Sequence, residues 1–76
     1  MAVHAYILIT ADPSRTQAVR ERLHAVPGAY VREVLGPFDF IVELEAETQE
    51  NLTAILRSKI RPISGVTSTV TCPWTE

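Results

Sequence analysis

The sequence is poor in the residues that staple or catalyse. It has one cysteine, Cys72, among 76 residues, so no internal disulfide can form. Its two histidines, His4 and His24, together with that thiol fall short of the four ligands a structural zinc site takes, and neither a metal nor a cofactor is expected. Glycine occurs only three times and never as a G-x-G-x-x-G run, which excludes the usual glycine-rich phosphate cradle. Seven Lys and Arg stand against nine Asp and Glu, a net charge of -2, and the basic residues are spread along the chain. Nucleic-acid backbones demand the opposite balance, so no direct nucleic-acid binding is expected. No window reaches the roughly 20 apolar residues that span a bilayer. The start "MAVHAYILIT" also lacks the basic region and long apolar core of a secretory signal. A cytoplasmic protein with no membrane partner is the expectation.

What is present suits a folded chain: 46% hydrophobic and 21% charged residues, far from the charge-rich composition of disorder. The length suits one small domain over residues 1–76. At this size about 60% of the unfolded surface can be buried, and one core rarely supplies more than ~3 to 5 kcal/mol. With disulfides and metals excluded, association between subunits is the remaining common source of stability.

"VHAYILIT", Val3 to Thr10, is short, rich in β-branched and aromatic residues and apolar on both alternating sets, which predicts a central strand covered on both faces. In "ADPSRTQAVRERLHAVPG", Asp12 is a candidate N-cap with Pro13 at the first helical position, and Val19, Leu23 and Val26 share one helix face before Pro27-Gly28 ends it. Two hairpin strands are predicted from Tyr30 to Leu35 and from Phe38 to Glu45, the second alternating Phe38, Phe40, Val42 and Leu44 with Asp39, Ile41, Glu43 and Glu45. A second helix follows in "ETQENLTAILRSKIRPI", capped by Thr48, with Leu52, Ile55, Leu56 and Ile60 on its stripe and Pro62 and Gly65 stopping it. "GVTSTVTCPW" alternates as a fourth strand that fades at Pro73. The order βαββαβ predicts an α+β, ferredoxin-like sandwich, with the first and third strands at the centre of a four-stranded antiparallel sheet and both helices on one face. The other face would carry Tyr6 and Leu8, Ile41 and the threonines of the last strand. An apolar patch rimmed by hydroxyls and carboxylates marks an association surface, so sheet-to-sheet dimerisation is expected.

Little in the chain points to catalysis. Cys72, in a strand beside Pro73, is expected to be a small buried hydrophobe. His24 suits the negative end of the first helix, and His4 has no paired carboxylate or second histidine nearby in sequence. An enzyme would have to use His4 or His24 as its base; a purely structural assembly partner is a further alternative. The hairpin "VLGPFDFIVEL" is the exception. Pro37 fixes φ near -65°, leaving a type II′ turn with Gly36 first or a wider connection. N–H groups around Gly36, Phe38 and Asp39 could hold a carboxylate and Asp39 an ammonium, as an amino acid presents. Against this, Gly-Pro with an adjacent Asp is also ordinary turn chemistry.

"PGAYVREVLGPFDFIVELEAE", a helix, then "IRPISGVTSTVT" together resemble the effector-binding RAM domain of the Lrp/AsnC (feast/famine) transcription regulators, over nearly the whole chain. The specific parts are Pro-Gly after the first helix, the Gly-x-aromatic-Asp of Gly36, Phe38 and Asp39, and the run of Ile63, Gly65, Val66, Thr69 and Thr71. The resemblance implies a non-catalytic ferredoxin-like domain that dimerises through its sheets and assembles further into rings of eight. It implies an amino acid or related effector bound between subunits near Gly36, Phe38 and Asp39, with Thr67, Ser68 and Thr69 as pocket neighbours. Leu35, where the family often has Thr, and Pro37, which removes an N–H, depart from that pattern. Because the chain starts at its first sheet strand, the expectation is a stand-alone form without the family's helix-turn-helix. It would act through a ligand, a metabolic enzyme or mixed assembly with a full-length Lrp/AsnC regulator.

Overall fold

A computed structural model describes residues 2–74. The chain runs β1 (Val3–Ala11), a 3-10 turn (Pro13–Arg15), α1 (Thr16–His24), β2 (Ala29–Glu33), β3 (Phe40–Ala46), α2 (Gln49–Ile55), a π turn (Leu56–Ile60) and β4 (Val66–Trp74). The sheet order is β2-β3-β1-β4, with every neighbouring pair antiparallel, so β1 and β3 lie at the centre as the βαββαβ order requires.

Local chemistry sets the ends of the helices. The Asp12 carboxylate accepts from the Ser14 N–H at 3.0 Å and the Ser14 hydroxyl at 2.9 Å. These two bonds hold its pKa below the ordinary 3.8 against a smaller opposing effect of desolvation, and the nearby Arg15 charge adds least. The helix does not start as α at Pro13: Arg15 N–H closes a tighter bond to Asp12 C=O at 2.9 Å, and α geometry begins at Thr16. Thr48 caps α2 by accepting from the Asn51 N–H at 3.0 Å. Beyond Ile55 the helix widens into the π turn, where Arg61 N–H reaches back five residues to Leu56 C=O at 2.9 Å. Leu52, Leu56 and Ile60 recur every four residues, which overshoots a 3.6-residue turn; the wider turn returns Ile60 to the core, fully buried.

The core lies between the helices and one face of the sheet. Ala5, Ile7 and Ile9 of β1 and Phe40, Val42 and Leu44 of β3 meet Val19 and Leu23 of α1, Leu52 of α2 and Ile60, with no polar or charged side chain fully buried among them. The alternation of β3 is as its sequence predicts, but both hairpin strands are shorter at the loop: β2 ends at Glu33 and β3 begins at Phe40.

The last strand differs from expectation in two respects. It continues through Pro73 to Trp74, because β4 is an edge strand where a missing N–H need not break the ladder. Its threonines Thr69 and Thr71 do not line the open face. They pair with Ile9 and Ile7 and so share the helix side, whereas Ser68, Val70, Cys72 and Trp74 pair with Thr10, Leu8, Tyr6 and His4 on the open side. Cys72 is correspondingly exposed and is not the buried hydrophobe its position suggested.

Candidate ligand site at the end of the first strand

The C-terminal end of β1 is held from both sides. On the hairpin side the Asp39 N–H donates to Ile9 C=O at 2.8 Å, and the Asp39 carboxylate Oδ2 accepts from the Ala11 N–H at 2.8 Å. On the other side the Asp12 N–H donates to Gly65 C=O at 2.8 Å. The hairpin leaves the sheet just before Phe40, so no β3 carbonyl continues the ladder there; the side chain of Asp39 supplies the missing acceptor. That is why an aspartate follows the turn. A buried or half-buried N–H left unpaired costs about 1–3 kcal/mol.

The hairpin connection is the wider of the two expected forms. Residues 34–39 separate the last paired residues Glu33 and Phe40, closed by a bond from Val34 N–H to Asp39 C=O at 3.0 Å. Gly36 has φ +130°, which side-chain-bearing residues rarely adopt, yet a Cβ there would meet nothing within 4 Å. Gly36 is thus required by the backbone, with open space above it. Leu35 is fully exposed and Phe38 half-buried. The Asp39 N–H is already committed to Ile9, so it is not among the free donors that the sequence suggested for a carboxylate.

Across β1 the ladder slips. Thr10 pairs with Ser68 and Ala11 with Val66, leaving Thr67 as an extra residue in β4. Such a bulge can turn two successive side chains towards one neighbour. Here the Thr67 and Ser68 hydroxyls both bond Thr10 Oγ1, the first at 2.9 Å. Asp39, Thr67 and Ser68 therefore flank one strand end, with Gly36 and Phe38 in the hairpin loop that carries Asp39. Thr69 separates from them, facing the helix side with Ile9. Thr10 joins the group and was missed by sequence reasoning. The available signal was its place two residues after Leu8, on the same face of the strand.

The open face continues from this cluster along the sheet. Tyr6 is 41% and Val70 46% exposed, with Leu8 and Ile41 half-buried beside them. At the far end the His4 ring stacks on Trp74 with centroids 4.4 Å apart, and Tyr6 lies 5.8 Å from the same indole. His4 Nδ1 and Trp74 Nε1 are buried without a hydrogen-bond partner among the described residues, as is Thr71 Oγ1. The two histidines do not converge: His4 belongs to the open face and His24 to the exposed last turn of α1. Among the described residues no three His, Cys, Asp or Glu side chains cluster as metal ligands, and no helix is long and apolar enough to cross a membrane.

Residues 4–75 match the Lrp/AsnC ligand binding domain. An HTH-type transcriptional regulator of Pyrococcus horikoshii, PH1916, is 37% identical over 71 residues, which are 88% of this chain and 47% of that protein. The chain thus spans about half the length of the curated regulators it matches. A homocitrate synthase of Sulfurisphaera tokodaii is 40% identical over 57 residues, 74% of this chain but 12% of the synthase. Among solved structures, TTHA0845 of Thermus thermophilus superposes with a TM-score of 0.91 at 27% identity, covering 97% of this chain and 94% of its own. The match over nearly the whole chain, carried on the same ferredoxin-like sheet, shows that this protein belongs to the Lrp/AsnC ligand-binding domain family.

Proposed function

We propose that this chain is a non-catalytic, oligomeric sensor that binds an amino acid or closely related metabolite where two subunits meet, beside the Gly36–Asp39 hairpin. The observation that carries this reading is the convergence of that hairpin with the Thr10, Thr67 and Ser68 hydroxyls at one strand end, next to an uncovered apolar sheet face. The open space over Gly36 admits a ligand close to the main chain. The hydroxyls can each donate or accept, as a zwitterionic ligand needs.

Pairing two copies through Tyr6, Leu8, Ile41 and Val70 would remove the apolar face from water and bring residues of both chains to the ligand. Ligand and assembly would then strengthen each other reciprocally. The segment's recurrence as a small part of a homocitrate synthase supports an accessory sensing module over a catalytic centre. Mixed assembly with a full-length regulator of the PH1916 kind is the corresponding route to transcriptional control.

A thermal-shift screen against amino acids tests the reading, since a ligand at 100 times its Kd stabilises by about 2.7 kcal/mol. The informative variants are Thr67→Val with Ser68→Ala, and Asp39→Asn; Asp39→Ala would also break the bond to Ala11. A shift with one amino acid, lost in the hydroxyl variants while the fold survives, supports the sensor. No shift with any amino acid removes its amino-acid form, and a well-folded monomer at high concentration by light scattering removes the assembly.

A further inference from the structure

On the opposite layer of the molecule, far in the fold from the open sheet face, a cleft of about 640 Å³ lies between α1 and the turn that follows α2. Cavities of this size hold small metabolites. Its charged lining is entirely basic: Arg15 from the 3-10 turn, Arg22 from α1 and Lys59 from the π turn, with Ser58, whose hydroxyl donates to Ala54 C=O at 2.7 Å, and Ser64 beside them. This collects three of the seven Lys and Arg of a chain whose net charge is -2. The ion pair found among the described residues joins Arg20 to Glu33 at 2.7 Å and involves none of the three. Asp12 lies near Arg15, but its carboxylate is occupied by Ser14 and does not line the cleft.

Two features make the cleft a built one. Gly65 packs so tightly on the 3-10 turn and α1 that a Cβ would stand 2.8 Å from both Arg15 Cβ and Val19 Cγ2, and its carbonyl accepts from the Asp12 N–H. The 61–65 turn is thereby fixed against the start of α1, where Arg15 Nη1 donates to Ser64 Oγ at 3.1 Å. That bond uses one of the five guanidinium donors. The opposite wall is the π turn, a rare geometry that recurs at functional sites, and it carries Ser58 and Lys59 to the rim. Ala18, Ala25 and Ile63 provide apolar surface between the cations.

We propose that this helix-side cleft binds a small organic oxyanion, a carboxylate or phosphate monoester on an apolar body, at a site separate from the sheet-side ligand. Arg15 and Arg22 offer planar forks that match such oxyanions, and Lys59 adds a point charge. The exposure of all three cations implies a modest, salt-sensitive affinity.

The test is an NMR titration of backbone and arginine side-chain N–H signals with inorganic phosphate and, separately, succinate, against sodium chloride at equal ionic strength. Saturable shifts confined to Arg15, Arg22, Ser58, Lys59 and Ser64 support the site, and the preferred anion identifies the head group. Arg22→Gln and Lys59→Gln should each weaken binding roughly twofold to fivefold. Both should leave the anion-free melting temperature unchanged, and Asp39→Asn should leave the titration unchanged, which keeps this site distinguishable from the sheet-side one. Shifts that follow chloride, or that appear equally at Arg32 and Arg57, would overturn it. Saturation by duplex DNA without a response to either small anion would overturn it as well.

Discussion

The two faces of the sheet receive alternate residues of the same strands and end in opposite states. On the helix side Ile7, Ile9, Phe40, Val42 and Leu44 are fully buried within one copy, with no charge or polar side chain fully buried beside them. On the open side the adjacent residues Tyr6 and Val70 keep about half their surface, His4 and Trp74 stack with His4 Nδ1 and Trp74 Nε1 unpartnered among the described residues, and the Thr67 and Ser68 hydroxyls each bond that of Thr10. One face is used up in folding the chain. The other stays exposed in a single copy, so the same alternating pattern yields both a stable core and a candidate interface.

The largest expected effect lies on the closed face. Phe40→Ala should cost about 3–5 kcal/mol in urea unfolding, since a fully buried ring leaves a cavity there. Asp39 comes next: Asp39→Ala should cost about 1–3 kcal/mol by orphaning the Ala11 N–H, and Asp39→Asn, which keeps an acceptor, clearly less. Amide exchange at Ala11 reads this directly, and equal losses for the two variants would mean that the charge, not the bond, matters. On the open face Tyr6→Ser with Val70→Ser should change the unfolding free energy of dissociated copies by only about 0.5 kcal/mol. The same pair should abolish association in sedimentation. A loss comparable to that of Phe40→Ala would erase the distinction between the faces.

The smallest effect concerns acid. The Asp12 pKa is depressed in the fold, so its contribution is complete above the ordinary 3.8 and disappears as pH falls through the lower folded value. Asp12→Asn keeps the capping oxygen and should flatten that last part of the acid unfolding curve, with little change at neutral pH.

Where side chains signal their own local geometry, the sequence was a sufficient guide. Asp12 and Thr48 cap as their types predict, Val19 and Leu23 turn inward at helical spacing, with Val26 buried just past the end of α1 at His24, and the alternation of β3 names its buried face. The candidate site was legible in part. Gly36, Phe38 and Asp39 are contiguous, but the role of Asp39 depends on Ala11, 28 residues away in the chain. The faces of β4 were misread because its alternation is equally plausible in either phase; only pairing with Ile7 and Ile9 decides which set faces the helices.

The amino-acid sequence by itself determined the element order, the caps, the core and the family. These follow from local hydrogen-bonding chemistry, from apolar spacing and from the motif order that the family shares. Only the tertiary structure decided which face β4 presents, that the carboxylate after the hairpin ends a distant strand, and that three scattered cations meet in one cleft. Each of those outcomes depends on register or packing between segments remote in the chain, where no local preference of either segment can choose.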